Sequence, residues 1–275
     1  MTFIHNKDVT VAFAGGGNMA AALIQGLTQT GLSGDKVRVF EPDVARAGAL
    51  RDRFGVVLAD SNAAAVAGVQ VLVVAVKPAM VSPILQEVAA VLTRETLVVS
   101  IAAGVTLERL HCGLAPGQPV IRAMPNTPSL IGAGVTVLCP GSSVTAQQLA
   151  LAETLLAAVG EVRTLRDELL MDGVTALSGS GPAYLYLIIE ALSDAGVACG
   201  LPRDMATWLA VHTTKGSAQL VHETGQHPGV LKNQVTSPGG TTIAAMQVLE
   251  EAGIRGTLMR AVQAAWKRSQ ELSRK

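Results

Sequence analysis

The sequence predicts an α/β protein in which a doubly wound sheet is followed by an all-α carboxyl-terminal region. Over roughly the first 165 residues, short apolar runs rich in β-branched side chains alternate with segments of helical spacing. After about Leu165 the strand pattern stops and only helical spacing continues. Strands that are apolar on both faces and separated by helices are typical of a parallel sheet covered on both sides. We therefore predict two domains, residues 1–165 and residues 166–275.

Eight strands are predicted in the first domain, from apolar runs bounded by turn-forming residues. In chain order they are VTVAFA, VRVF, VVLA, VLVVAV, LVVSIA, VIRAM, GVTVLC and EVRTL. Apolar residues spaced three and four apart predict helices between them. These helices cover residues 20–28, 44–54, 80–92 and 146–159.

The only regular elements predicted in the second domain are helices. They are predicted at residues 169–177, 182–196, 202–222, 242–252 and 254–271. Pro182 and Pro202 stand where the first turn of a helix tolerates proline. Helix 182–196 is apolar nearly all round, which predicts burial on every side. A second copy of the chain would cover that surface best, so we expect a homodimer or a higher homo-oligomer.

Composition and charge favour a small polar substrate as the partner. The chain has 21 basic and 21 acidic residues and no lysine or arginine run, which argues against nucleic-acid and membrane-surface binding. No uncharged apolar run reaches the roughly 18 residues needed to span a bilayer. The start MTFIHNKDVTVAF lacks a secretion signal, so a cytoplasmic location is expected. The cysteines lie far apart and the histidines are scattered, so neither disulfides nor a protein-bound metal is predicted.

A glycine-rich motif follows the first strand and opens the first helix. Gly15, Gly17 and Ala20 form the pattern Gly-x-Gly-x-x-Ala, in which small residues let a pyrophosphate approach the backbone. A dinucleotide site is predicted at this turn, on Gly15, Gly16, Gly17, Asn18 and Met19; a purely structural glycine turn is the alternative.

The residue after the second strand bears on the choice of dinucleotide. Glu41 stands where an acid usually accepts hydrogen bonds from the adenine ribose of NAD. Arg46, a few residues later, could reach a 2′-phosphate, although a solvated helix position is the simpler interpretation.

Two further loops follow strand ends, where ligands of open α/β sheets bind. They contribute candidate contacts to the nicotinamide half of a cofactor: Val76, Lys77, Pro78, Met124, Pro125 and Asn126. Structural turns remain the alternative for both loops, and Lys77 at the end of an apolar strand would also reach water.

The stretch VTSPGGTT, residues 235–242, predicts an anion site. Proline and two glycines exclude regular structure, and the next residues begin a helix. Free amides at a helix start, together with hydroxyl groups, suit a carboxylate or a phosphate. The candidate residues are Ser237, Gly239, Gly240, Thr241 and Thr242. The simpler alternative is that one hydroxyl merely caps the helix.

The cluster LSGSGPAY does not match a nucleophile elbow. Ser180 lacks the preceding strand and the spacing that such an elbow needs. We interpret the cluster as a tight passage between helices that faces the cofactor cleft, with glycines for close approach. Glu190, within the apolar helix, is left out of the catalytic set.

Together these motifs resemble pyrroline-5-carboxylate reductase along nearly the whole chain. The matching segments are GGGNM, VKP, VVSIAAGVTLERL, IRAMPNTP, SGSGPAY, EALSDAGVACGLPRDMA and HPGVLKNQVTSPGGTTIAAMQVLEEAGIR. The resemblance implies reduction of L-1-pyrroline-5-carboxylate to L-proline by NAD(P)H, the last step of proline biosynthesis. It also implies an amino-terminal Rossmann domain and a helical domain that binds substrate and interlocks with a partner copy.

In that family the glycine-rich turn and the Val-Lys-Pro and Met-Pro-Asn loops hold the cofactor, and Ser-Pro-Gly-Gly-Thr-Thr holds the substrate carboxylate. Many members have a small polar residue followed by Arg or Ser after the second strand, which suits NADPH. This chain has Glu41 and Pro42 there, so NADPH is expected on family grounds and NADH stays possible.

Thr242 is the candidate catalytic residue, hydrogen-bonded near the ring nitrogen of the imine. Helix 182–196 contains neither lysine nor histidine, and so lacks the base that oxidation of an alcohol needs. Two alternatives stay open at this point. They are a hydroxyacid dehydrogenase of similar architecture and a nucleotide-binding regulatory protein without turnover.

Overall fold

The structure, a computed structural model, describes residues 9–274 and contains eight strands within them. They are β1 Val11–Ala14, β2 Val37–Phe40, β3 Val57–Leu58, β4 Val71–Val74, β5 Leu97–Ser100, β6 Val120–Met124, β7 Gly134–Pro140 and β8 Gly160–Thr164. All lie in one sheet of order β3-β2-β1-β4-β5-β6-β7-β8. The doubly wound α/β prediction is confirmed, and each strand lies within or overlaps its predicted apolar run.

Strands β1 to β6 pair in parallel, but β7 runs antiparallel to β6. The prediction of a parallel sheet is therefore wrong at this pair. Residues 125–133 connect the two strands and include a 3₁₀ turn at Thr127–Ile131. A crossover between parallel strands needs about a dozen residues or more, so this short link reverses the chain. Strand β8 then pairs in parallel with β7.

Up to residue 174 of the described chain, seven α-helices connect or follow the strands. They are α1 Asn18–Gln29, α2 Val44–Phe54, α3 Asn62–Val66, α4 Pro78–Val88, α5 Leu107–His111, α6 Ala146–Leu156 and α7 Met171–Val174. Helices α3 and α5 were not predicted because each has only five residues, too few to show a period. Both start at hydroxyl caps, Ser61 and Thr106, whose side chains accept a backbone amide.

The core lies on both faces of the sheet. Successive strand residues alternate between the two sides. Val11 and Phe13 pack with helices α1 and α6 in one apolar cluster, and Ala12 and Ala14 pack with α3 and α4 in the other. Apolar side chains on both faces are the reason that these strands show continuous apolar runs.

The described chain divides into two compact units, one up to Ser180 with the end of the chain from Ala265, the other Gly181–Ala264. The later helices are α8 Gly181–Ala198, α9 Arg203–Thr224, α10 Pro228–Gln234, α11 Thr241–Glu251 and α12 Ile254–Ser273. The boundary predicted between residues 165 and 166 stays a prediction. Within residues 9–274, no helix combines the length and apolar character that crossing a membrane requires.

Candidate active site

The first strand-to-helix turn lets a ligand approach its backbone closely. Gly15 has a φ of +95°, and a Cβ there would lie 2.7 Å from the carbonyl oxygen of Ala75. A Cβ at Gly16 would lie 2.7 Å from Leu50 Cδ1, the end of a flexible side chain, so the need for glycine is strict at Gly15 and weaker at Gly16. Gly17 precedes helix α1, which has no side-chain cap. The amides of this helix start are therefore free to bind a phosphate group.

Glu41 braces the glycine-rich turn from the end of β2. Its Oε2 accepts the Gly16 amide at 2.8 Å, and its Oε1 accepts the Asp43 amide at 3.0 Å. The Nη1 atom of Arg46 lies 3.8 Å from Glu41 Oε1, and its Nη2 lies 3.2 Å from Asp43 Oδ2. A hydrogen bond from the Arg46 amide holds the pKa of Asp43 below its usual value. The acid and the arginine that bear on cofactor choice thus lie side by side.

A cleft of about 920 Å³ opens at the carboxyl ends of the parallel strands, where ligands of such sheets bind. The predicted cofactor residues in its wall are Gly15, Gly17, Asn18, Met19, Glu41, Val76, Lys77 and Pro125. The other predicted cofactor residues each adjoin a lining residue in the chain, without lining the cleft themselves: Gly16, Pro78, Met124 and Asn126.

The Val-Lys-Pro loop joins β4 to α4 at the same edge of the sheet. Lys77 is extended and Pro78 opens the helix, in the position where proline is favoured. The Lys77 carbonyl accepts the Met80 amide at 2.9 Å. The loop backbone is fixed in this way, and the Lys77 side chain is exposed at the cleft.

Asn62 and Glu87 line the cleft but were missed by sequence reasoning. Asn62 is 5% exposed, and its Nδ2 donates to Glu87 Oε2 at 2.7 Å. Its Oδ1 is buried and accepts no hydrogen bond from the described residues. A buried acceptor left unpaired costs about 1–3 kcal/mol, so this oxygen fits a donor on a bound molecule. The sequence DSNAA after β3 could have indicated these residues, because it places a helix cap directly after the end of a strand.

The Met-Pro-Asn loop is held by a π-helical turn, Thr175–Gly179. Asn126 Nδ2 donates to the Ser178 carbonyl at 3.3 Å, and Asn126 Oδ1 accepts the Val135 amide at 2.9 Å. A Cβ at Gly179 would overlap Met124 Cε. The SGSG cluster therefore does make a close approach between segments, and π turns occur often at functional sites.

The VTSPGGTT stretch forms a tight turn in the second unit. Gly239 has a φ of +66°, and the Gly240 amide donates to the Ser237 carbonyl at 3.1 Å. Helix α11 begins at Thr241, directly after Gly240, and no side chain caps it. The alternative of a simple hydroxyl cap is thus not what this turn contains. Thr242 is half-buried in the first turn of α11. The other predicted substrate residues precede it directly in the turn.

Two family models match the chain. One, described as pyrroline-5-carboxylate reductase dimerisation, matches residues 168–272, and one described as NADP oxidoreductase coenzyme F420-dependent matches residues 10–104. A pyrroline-5-carboxylate reductase of Synechocystis is 44% identical over 98% of this chain and 100% of its own length. This chain belongs to the pyrroline-5-carboxylate reductase family.

Solved structures of pyrroline-5-carboxylate reductases share the fold. The enzyme of Coxiella burnetii has a TM-score of 0.92 and 37% identity, covering 97% of this chain and 99% of that one. The Plasmodium falciparum enzyme with NADP bound has a TM-score of 0.87 and 29% identity, covering 97% of this chain and 99% of that one. The similarity thus includes both compact units of the chain.

Large apolar side chains are exposed in the segment that matches the pyrroline-5-carboxylate reductase dimerisation model. Leu185 and Leu187 on α8 are 50% and 66% exposed, and Trp208 on α9 is 57% exposed. Gly196 and Ala206 allow α8 and α9 to pack closely, because a Cβ at Gly196 would lie 2.9 Å from the Ala206 Cβ. The burial predicted for helix 182–196 is thus not achieved within one chain, and the apolar face is left for a partner copy.

Cys139 is buried on strand β7, away from the cleft wall. Burial, with repulsion from Glu168, raises the pKa of the Cys139 thiol, which makes it a poor nucleophile. Over the part of the chain that the structure describes, no group of three or more His, Cys, Asp or Glu side chains is arranged to hold a metal ion.

Proposed function

We propose that this chain reduces L-1-pyrroline-5-carboxylate to L-proline by hydride transfer from NADPH, the last step of proline biosynthesis. The observation that carries the proposal is the cleft at the carboxyl ends of the strands, in a chain of the pyrroline-5-carboxylate reductase family. When bound, NADPH supplies the hydride for the imine carbon. The residues of the chain bind and orient the two reactants.

The cleft residues suit a dinucleotide along its length. The amides at the start of α1 meet the pyrophosphate, since a helix start attracts anions. The unpaired Asn62 Oδ1 accepts a hydroxyl or amino hydrogen from the adenosine half, beside the apolar side chains of Met80 and Ile84. Lys77 and Pro125 stand after β4 and β6, and we assign them to the nicotinamide half.

The substrate carboxylate is assigned to the Ser-Pro-Gly-Gly-Thr-Thr turn. The amides of Thr241 and Thr242 lie at the uncapped start of α11, whereas the Gly240 amide already donates to the Ser237 carbonyl. Gly240 then shapes the turn, and the Ser237 or Thr242 hydroxyl adds a further donor. Thr242 then orients the ring nitrogen and relays a proton to it through water. We assign the pyrophosphate to the other glycine turn, which leaves this second anion site for the substrate.

The reaction needs positioning more than acid–base chemistry. Helix α8 contains neither lysine nor histidine, the bases that would remove a hydroxyl proton from an alcohol. An imine protonated on nitrogen is already an electrophile and accepts hydride directly. Holding two reactants in register supplies up to about 7–11 kcal/mol of the barrier. This favours an imine reductase over a hydroxyacid dehydrogenase.

We further propose a homodimer or higher homo-oligomer in the cytoplasm, with a small molecule as the only other partner. The exposed apolar side chains of α8 and α9 support association. The balanced net charge and the absence of a lysine or arginine run in the sequence argue against a nucleic-acid or anionic-lipid partner.

Absorbance of the reduced nicotinamide tests the activity directly. The protein is incubated with NADPH and pyrroline-5-carboxylate, and separately with NAD and 3-hydroxy acids. We expect turnover in the first assay and none in the second. Oxidation of a 3-hydroxy acid would favour a hydroxyacid dehydrogenase, and binding without any turnover would favour a regulatory protein.

A further inference from the structure

A charged cluster around the buried Arg122 lies beside the Met-Pro-Asn loop, and the proposed chemistry uses none of its members. Arg122, on β6 just before that loop, is 4% exposed. Its Nη1 donates to Glu168 Oε1 at 2.9 Å, and its Nη2 lies 3.8 Å from Asp172 Oδ1. One guanidinium is thus shared by two carboxylates of the segment that leads into the π-helical turn.

Both carboxylates are hydrogen-bonded to other elements as well. Glu168 Oε1 also accepts the Leu107 amide at 2.8 Å, at the start of α5. Asp172 Oδ1 accepts the hydroxyls of Ser269 at 2.6 Å and Ser273 at 3.1 Å, at the end of α12. Buried charges are tolerated when they are paired and fully hydrogen-bonded. The cluster therefore joins β6, α5, the 168–172 segment and the end of the last helix.

The other end of the 168–179 segment touches the loop itself. Ser178 accepts hydrogen bonds from Asn126, and Gly179 lies against Met124. The segment is consequently fixed twice: by Arg122 where it begins and by Asn126 where it ends. A shift at the Arg122 end would be transmitted to the loop through one short, hydrogen-bonded stretch.

We propose that Arg122 is a positioning residue for the cofactor loop, acting through Glu168 and Asp172. It holds the 168–179 segment so that Met124, Pro125 and Asn126 keep the geometry that cofactor binding needs. The inference rests on the proposed role of that loop in cofactor binding. Arg122 itself touches neither reactant, since it is buried on the strand and absent from the cleft wall.

Substitution Arg122→Lys tests the proposal, because an ammonium keeps the charge but lacks the planar fork that serves two carboxylates. We expect the Kd for NADPH, measured by nicotinamide fluorescence, to rise about five- to twentyfold, with the KM for NADPH rising in parallel. The change in kcat should be smaller than the change in KM. Hydrogen exchange at the Val135 amide, which donates to Asn126, should become faster.

Arg163→Lys is the matched control, because Arg163 lies exposed on β8 and its side chain donates a hydrogen bond to the neighbouring Val162 carbonyl. It should leave the Kd for NADPH unchanged. If Arg122→Lys lowers the thermal midpoint but keeps the wild-type Kd and Val135 exchange, Arg122 is merely structural and the proposal is overturned.

A second variant covers the case in which Arg122→Lys does not fold. The double substitution Ser269→Ala and Ser273→Ala leaves Arg122 in place but removes two donors from Asp172, and should raise the Kd for NADPH at least about threefold. An unchanged Kd in this variant overturns the proposal. Turnover by the unaltered protein tests the proposed function separately, so the two failures are distinguishable.

Discussion

At the scale of single residues, Glu41 accepts hydrogen bonds from the Gly16 and Asp43 amides, and we predict that it also affects the choice of cofactor. Its carboxylate lies in the cleft wall, where the extra phosphate of NADPH would meet a like charge. We expect Glu41→Ser to move the ratio of kcat/KM for NADPH over NADH about tenfold or more toward NADPH, near 1.4 kcal/mol. Steady-state kinetics with both cofactors measure this ratio.

A control separates the charge of Glu41 from its bracing contacts. Glu41→Gln removes the charge but keeps an oxygen that can accept the Gly16 amide. It should change the cofactor ratio in the same direction, with a smaller loss of thermal stability than Glu41→Ser. An unchanged ratio in both variants would show that the carboxylate does not face the 2′ position.

Thr242 is the residue on which the substrate assignment depends. Thr242→Val keeps the shape and removes the hydroxyl, so kcat/KM for pyrroline-5-carboxylate should fall roughly 10- to 100-fold, as for loss of a hydrogen bond to a charged group. The Kd for NADPH should stay the same. The analogue 1-pyrroline, which lacks the carboxylate, should be a far poorer substrate of the unaltered protein.

The matched control for this substitution is Thr154→Val on α6 of the first unit, where the hydroxyl donates to the Ala150 carbonyl one helical turn earlier. Thr154→Val should leave kcat/KM for pyrroline-5-carboxylate and the Kd for NADPH unaltered. Loss of NADPH affinity in Thr242→Val, with discrimination against 1-pyrroline intact, would assign the turn to the cofactor instead.

At the scale of elements, the turn between β1 and α1 depends on a backbone that only glycine adopts easily. Gly15→Ala forces a φ of +95° on a residue with a Cβ and places that Cβ 2.7 Å from the Ala75 carbonyl oxygen. We expect a loss of about 1–3 kcal/mol in the free energy of unfolding and weaker NADPH binding. Urea denaturation and fluorescence titration measure the two effects.

Gly48→Ala is the corresponding control within helix α2. No atom lies within 4 Å of a Cβ built there, so alanine should stabilise the protein by about 0.4–1 kcal/mol and leave cofactor binding alone. If both glycine variants bound NADPH equally well, the pyrophosphate would not lie at the Gly15 turn.

At the scale of the whole molecule, the apolar face of α8 and α9 makes association the expected state. We expect a subunit interface larger than roughly 2,000 Å², so that no active monomer persists at nanomolar concentration. Leu187→Glu should weaken the dimer by about 2 kcal/mol or more, because it buries an unpaired charge. Sedimentation velocity over a dilution series measures the dissociation.

The control for association is Val44→Glu on α2, where the valine is 85% exposed on the first unit. It adds the same charge outside the dimerisation segment and should leave the oligomer intact. A folded, active monomer of the unaltered chain at nanomolar concentration would contradict the expected interface.

Local sequence features predicted the strands and the longer helices well. The spacing of apolar residues and the positions of glycine and proline determine backbone conformation over only a few residues. The same reasoning placed Gly15, Glu41 and Lys77 at strand ends, and the structure brings them to one cleft. It failed at β7, whose pairing direction depends on the length and path of the preceding link, not on its own residues.

By itself the sequence determined the fold class, the family and the two glycine turns that we assign to cofactor and substrate. Only the tertiary structure decided which distant polar groups meet: Asn62 with Glu87, and Arg122 with Glu168 and Asp172. The reason is physical. Whether a hydrogen bond or ion pair forms depends on differences of a few tenths of an ångström in the distance between groups far apart in the chain, and no local sequence pattern encodes such distances.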